Sequence, residues 1–387
     1  MKNILKLNAI SKMADDCFDE TYLLSNDTTT PVGIMVRSFN MHDYVLPPTV
    51  LAVARAGAGV NNIPTDEYAK QGVVVFNTPG ANANAVKELV MSALFLGSRK
   101  IVDSIKWVDT LKGNGDDIAK MVEKGKKDFV GPEILGKTLG IVGLGAIGIR
   151  VANAAIALGM NVVGYDPYLS VDNALILSQQ CKRVNDLDEL YKVSDYITLH
   201  VPLLKENASF INKDSIAKMK DGVVIINCAR GELVNNNHMI NAIESGKVAR
   251  HVTDFPCEDF IGVKNIVCTP HLGASTPEAE DNCAVMAAKE LIDFIENGNI
   301  VNSVNLPNCV TPKTSKYRVT IIHLNTHNMI AQATSVFGNN GVNIENLVNK
   351  SRGNYAYTVI DTDNEIPPHA LDALTNVDGI IRVRLIK

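Results

Sequence analysis

The stretch TLGIVGLGAIGIRVANAAIALGMNVVGYD, residues 138–166, decides how the chain folds. TLGIVGLG is a short apolar run ending in glycines, residues 148–159 then read as a helix closed by Gly159, and NVVGYD is a second strand. Strand, glycine-rich turn, helix and strand make one βαβ unit. Gly143, Gly145 and Gly148 stand in the G-x-G-x-x-G spacing, which lets the backbone approach a pyrophosphate at the helix N-terminus. Asp166 ends the second strand, where a carboxylate takes the adenosine ribose hydroxyls and repels a 2′-phosphate, so the expected cofactor is NAD rather than NADP.

Outward from this unit the pattern repeats. DYITLHVP, GVVIINCAR, RHVTDF and NIVCTPH read as further strands, with helices at about 186–193, 213–220 and 235–248 between them. Apolar residues on both strand faces fit a doubly wound parallel sheet covered by helices on each side. Upstream, VGIMVRS, LAVARAG and VVVFNTP within residues 30–85 give a second α/β unit, and long helices are expected at 86–105 and 276–298 as crossings between the two lobes. Residues 302–316, with little apolar periodicity, read as a linker that leaves room for a hinge. Beyond it YRVTIIHLN, 328–339, GVNIENLVNKS, NYAYTVIDT, 368–375 and IIRVRLIK spell β-α-β-β-α-β, a ferredoxin-like module.

The composition excludes several function classes. A chain of 387 residues with 46% hydrophobic and 20% charged residues has material for more than one domain, and its net charge of −5 provides no general basic field for nucleic acid. The 7 cysteines are odd in number, scattered and without a C-x-x-C pair, which argues against a disulfide framework or a zinc site. No run approaches the roughly 18 apolar residues of a membrane span, and no leader-like apolar segment opens the chain, so a cytoplasmic protein is expected. His42, His238, His251 and His369 show no metal-ligand spacing, and no metal is expected.

Three polar residues follow the C-terminal ends of strands, the edge where open α/β sheets bind ligands: Arg230, Glu258 and His271. Together they suit one reaction. An arginine grips a carboxylate in bidentate fashion. A histidine titrates near working pH and can take a hydroxyl proton as hydride leaves the same carbon. A carboxylate on its far nitrogen orients the ring and stabilises its protonated form.

GLGAIG with YDP, NCARGELV and TPHLGAST together resemble the D-2-hydroxyacid dehydrogenase family, and the likeness runs over nearly the full length of the chain. The resemblance implies a flavodoxin-like substrate lobe (1–87 and 279–305), a Rossmann lobe binding NAD (88–278), a linker (306–316) and a C-terminal ACT regulatory domain (317–387). It assigns Arg230 to the substrate, His271 to acid/base work and Glu258 to pairing with His271. The family writes D-V-F-x-x-E-P where this chain has the shorter DFPCED. Cofactor contacts are implied for Gly143, Gly145, Ala146, Ile147, Gly148, Asp166, His200, Val201, Pro202, Cys228, Ala229, Arg230, Asp254, His271 and Gly273. Of these, Asp254 resembles the aspartate that holds the nicotinamide carboxamide.

The whole chain resembles the branch of that family that oxidises 3-phospho-D-glycerate to 3-phosphohydroxypyruvate at the start of L-serine biosynthesis. By that resemblance Arg37 and Ser38 meet a substrate phosphate, Gly57, Ala58 and Gly59 offer amides to the carboxylate, and Asn82 lines the same site. His323, Asn325 and Asn343 match positions that hold L-serine as an effector, although the usual R-P-G turn is THN here, residues 326–328. A homodimer or homotetramer is implied, with no nucleic acid or membrane partner. Two other readings stand beside this one. The first is a dehydrogenase for an unphosphorylated D-2-hydroxy acid such as glycerate, hydroxypyruvate or lactate. The second is a non-catalytic NAD-sensing protein like the corepressors that share the fold.

Overall fold

The chain begins with two strands that lie outside the alternation read from residues 30–85, β1 (Lys2–Leu7) and β2 (Tyr22–Ser25). They join β3 (Gly33–Val36), β4 (Ala52–Arg55) and, after α1 (Thr65–Lys70), β5 (Val74–Phe76) in a parallel sheet of order β2-β1-β3-β4-β5. That is the flavodoxin-like order. β3 is buried at every position, as a central strand covered on both faces must be.

Next come α2 (Ala83–Ser98), α3 (Ile101–Asp109) and α4 (Ile118–Gly125). The single helix expected over 86–105 is therefore broken. Arg99 is extended (φ −120°, ψ 144°), and Gly97 presses so closely on Val224 that a β-carbon there would lie 2.6 Å from its Cγ1. The glycine-rich unit is β6 (Thr138–Val142), α5 (Ala146–Ala157) and β7 (Asn161–Tyr165). It continues through α6 (Val171–Ile176), β8 (Cys181–Arg183), α7 (Leu187–Val193), β9 (Tyr196–Leu199), α8 (Lys213–Ala217), β10 (Val223–Asn227), α9 (Asn236–Glu244), β11 (Val248–Thr253) and β12 (Ile266–Cys268). The seven strands run parallel in the order β12-β11-β10-β9-β6-β7-β8, the doubly wound arrangement in which the chain reverses direction beside β6. Separate apolar clusters cover its faces, one around Leu139, Ile149 and Ile226, the other around Ile197, Ile225 and Met239.

α10 (Pro277–Asn297) leads to the C-terminal module: β13 (Tyr317–Leu324), α11 (Met329–Asn339), β14 (Ile344–Arg352), β15 (Tyr355–Thr362), α12 (Pro368–Thr375) and β16 (Ile380–Ile386). Its antiparallel sheet, β14-β15-β13-β16, has the ferredoxin-like order. One face packs on α11 and α12 through Val319, Ile321, Phe337 and Ile360. The other face adds Ile322, Tyr357 and Val359 to the core of Ile4, Leu291 and Phe294.

The structure, a computed structural model, describes residues 1–387. Residues 82–279 form one compact unit and residues 1–81 with 280–387 the other, so the break lies at the start of α2 and the C-terminal module belongs with the first lobe. The segment 302–316 is no free tether. Leu306 and Cys309 are buried, Ser303 and Cys309 bridge to Phe76 and Ile300, and Asn305 binds the carbonyls of Thr65 and Val73. Arg384 donates to the carbonyls of Phe294 and Ile295, Arg318 to that of Asn297, and the Tyr357 hydroxyl to that of Gly298. Cations and donors at a helix C-terminus satisfy carbonyls that have no intrahelical partner. No helix is long and apolar enough to cross a membrane.

Candidate active site

The glycine-rich turn is shaped by contact rather than by flexibility alone. Gly143 has φ +94°, and a β-carbon there would lie 2.5 Å from the carbonyl oxygen of His200. Gly148, in the first turn of α5, faces the carbonyl of Gly143 at a distance no side chain could share. Gly145 differs: a β-carbon there would meet only open space, and no side chain caps α5, which begins at Ala146 and Ile147. The free amides of that first turn form a cradle for an anion. Asp166 accepts the Leu144 amide through Oδ2 and the Tyr168 amide through Oδ1, each at 2.8 Å. Each oxygen keeps a lone pair for a ribose hydroxyl. Cradle and carboxylate fit a dinucleotide with a free 2′-hydroxyl.

His200 follows β9, with Nε2 3.0 Å from the Thr198 hydroxyl and Nδ1 buried without a partner. Burial pushes its pKa down to about 3, so the imidazole stays neutral. Val201 is half-buried and Pro202 exposed beyond it. After β10, burial pushes the Cys228 thiol up to about 12, which excludes a thiolate. Asn227 lies outside the motifs that mark this site, and its signal in the sequence is a polar residue ending an apolar strand. Its buried side chain accepts the Ala229 amide at 3.1 Å and donates to the Arg230 carbonyl at 2.8 Å, fixing the bend that carries Arg230, whose exposed side chain donates from Nη1 to the Ala229 carbonyl at 2.7 Å.

His271 sits beyond β12 with φ +56°, a left-handed backbone that costs a residue with a β-carbon about 1–3 kcal/mol. The turn is held by Asp254, which is buried. Its Oδ1 accepts the Thr269 hydroxyl at 2.6 Å and the Leu272 amide at 2.8 Å, and its Oδ2 accepts the Gly273 amide at 2.8 Å. The exposed imidazole lies against Phe255, ring centres 5.0 Å apart. No hydrogen bond or ion pair joins Glu258 to His271. Glu258 is exposed, and its neighbour Asp259 accepts from Asn236 instead. The orienting contacts on His271 therefore come from Phe255 and from the backbone that Asp254 fixes.

In the other unit Arg37 follows β3, and its Nη2 donates to Glu280 at 2.6 Å. Asn62 bridges the carbonyls of Arg37 and Phe39 around exposed Ser38. Gly57 has φ +152°, and the Arg55 guanidinium passes over it into the space that a β-carbon would take. Arg55 is a second cation at this sheet edge that the sequence reading did not assign. The amides of Ala58 and Gly59 donate to no protein acceptor, whereas the carbonyls of Gly57 and Ala58 accept from Thr78 and Asn77. Asn82 occupies the cap position of α2 without using its side chain there.

In the C-terminal module both nitrogens of His323 are engaged, Nδ1 with the Leu324 carbonyl at 2.8 Å and Nε2 with the Thr358 hydroxyl at 2.9 Å. Asn325 donates to the Gly353 carbonyl, and Asn343 is exposed before β14.

Residues 91–273 match the family described as D-isomer specific 2-hydroxyacid dehydrogenase, NAD binding domain. The chain is 36% identical over 272 residues to a D-3-phosphoglycerate dehydrogenase of Synechocystis sp., covering 69% of this chain and 47% of that protein. It is 38% identical over 252 residues to a hydroxypyruvate reductase of Thermotoga maritima, covering 63% of this chain and 76% of that one. Among solved structures, NAD+-bound 3-phosphoglycerate dehydrogenase of Entamoeba histolytica superposes with a TM-score of 0.61 at 26% identity, over 79% of this chain and 98% of that one. The chain spans about half the length of the curated phosphoglycerate dehydrogenases it matches. The chain belongs to the D-isomer-specific 2-hydroxyacid dehydrogenase family.

Proposed function

We propose that this protein is an NAD-dependent dehydrogenase that interconverts 3-phospho-D-glycerate and 3-phosphohydroxypyruvate, supplying the first intermediate of L-serine synthesis. The carrying observation is the His271 turn, locked by Asp254 at the ligand-binding edge of the sheet that also bears the Gly145 cradle. When bound, NAD supplies the hydride acceptor. His271 takes the hydroxyl proton of the substrate and returns it in the reverse direction. Arg230 binds the substrate carboxylate and polarises the reacting oxygen, its loop held by Asn227. His200 stays neutral and does not exchange protons in the working range.

The phosphorylated substrate is supported by Arg37, Ser38 and Arg55 at one sheet edge and by the relatives named D-3-phosphoglycerate dehydrogenase. The unpaired amides of Ala58 and Gly59 suit a carboxylate. We read the C-terminal module as an ACT domain that binds L-serine with Asn325 and Asn343, His323 serving as a fixed wall of that site. A second reading, hydroxypyruvate as the keto acid, is favoured by the Thermotoga maritima relative.

The test is NADH oxidation with 3-phosphohydroxypyruvate, hydroxypyruvate and pyruvate, each with and without L-serine. A strong preference for the phosphorylated acid is expected, together with slowing by serine. Equal or better use of hydroxypyruvate would move the protein to the second reading.

A further inference from the structure

Glu280 stands in the first turn of α10, and its Oε1 accepts from Nη2 of Arg37 at 2.6 Å. Both side chains are partly open to solvent, 39% for Arg37 and 43% for Glu280. An exposed pair of this kind is weak enough for a ligand to break. Arg55 pairs with Val36 in the β3–β4 register, which sets it beside Arg37 at the same sheet edge. The cluster thus holds two guanidinium groups and one carboxylate. A phosphate dianion can satisfy a guanidinium fork with two oxygens, which the single Glu280 oxygen does not.

We propose that Glu280 tempers the anion affinity of Arg37, occupying the guanidinium until a dianionic substrate group displaces it, an inference that rests on the phosphorylated-substrate reading above. The carboxylate acts in two ways. It lowers affinity for every anion at Arg37, so the site stays clear of abundant small anions and lets a phosphorylated product go. It leaves substrates with a neutral end untouched, because they do not disturb the pair. Glu280 sets only how tightly Arg37 holds an anion and takes no part in proton or hydride transfer.

Glu280→Gln keeps the size and a hydrogen-bond acceptor while removing the charge. In this variant KM for 3-phosphohydroxypyruvate should fall by roughly threefold to tenfold, with kcat and the KM for hydroxypyruvate little changed. Inorganic phosphate, tested as a competitive inhibitor of hydroxypyruvate reduction, should bind tighter by a similar factor, and Arg37→Ala should abolish that gain. The phosphate arm keeps the inference separate from the substrate reading, because it reads the cluster whichever keto acid is used. An unchanged phosphate inhibition constant, or a higher KM for the phosphorylated acid, would mean that Glu280 merely orients Arg37 and would overturn the proposal.

Discussion

The backbone amide of His271 donates to the main-chain carbonyl of Asp254 at 3.0 Å, while the carboxylate of Asp254 gathers the amides of the next two residues. One buried aspartate therefore fixes the only histidine whose backbone is left-handed. Asp254→Asn would present one oxygen and one amide group to three donors, leaving at least one N–H facing another. A loss of about 1–3 kcal/mol in stability is expected, read by urea denaturation, with a fall in turnover as the turn loosens.

His271→Ala removes the proposed acid/base without touching the Gly145 cradle. Turnover should drop by about 100-fold or more, while NAD binding followed by calorimetry stays near that of the parent. Near-normal turnover would remove His271 from the mechanism.

Arg37→Ala should raise KM for the phosphorylated acid much more than for hydroxypyruvate, because only the former carries a dianion for the guanidinium. Equal effects on both substrates would show that Arg37 does not read the phosphate.

Glu290 is buried on α10, with Oε1 accepting from Asn302 at 2.7 Å and Oε2 buried without a partner. Burial pushes its pKa up to about 8 from an ordinary 4.5. Between those values the folded protein holds a proton that the unfolded chain has released. Its contribution to stability is complete below the lower value and lost as pH rises through the upper one. Glu290→Gln should therefore stabilise the protein increasingly from about pH 5 to about pH 8.5. A stability difference from the parent that stays constant across that range would refute the assignment.

Arg318 and Asp361 are both fully buried and joined through two hydrogen bonds, 2.6 and 2.9 Å. Arg318→Met strands the carboxylate and also strips donors from the carbonyls of Asn297, Thr311 and Pro312. A loss of about 3–5 kcal/mol is expected by urea denaturation, and replacing Asp361 by Leu in the same chain should recover only the part due to the stranded charge, since the three carbonyls stay without their donor.

Much of this architecture is written in local pattern. The βαβ unit at 138–166 is legible because apolar runs, glycine spacing and a strand-end aspartate all lie within one short window. β1 and β2 were not legible, since the partners of KNILKL, β2 and β3, are distant in sequence. Neither the extended turn at Arg99 that ends α2 nor the burial of 302–316 against Phe76 and Ile300 is carried by a local pattern. At the site, the strand-end positions of Arg230 and His271 follow from the pattern of strands. The holding role of Asp254, the bend set by Asn227 and the pairing of Arg37 with Glu280 are three-dimensional facts. Each joins residues whose partners are chosen by packing.

The route of the chain through its two units also orders its assembly. Residues 82–279 are contiguous, so their seven-stranded sheet can form as soon as that stretch has left the ribosome. The other unit has a core that joins Ile4 and Met35 to Leu291 and Tyr357. Contacts of such sequence separation close slowly, and incomplete cores of this kind are exposed to misassembly. β1 is made first yet must wait, partly uncovered, until Arg384 of β16 reaches α10. The inserted unit would be the nucleus of folding, and the C-terminal strand its last stitch.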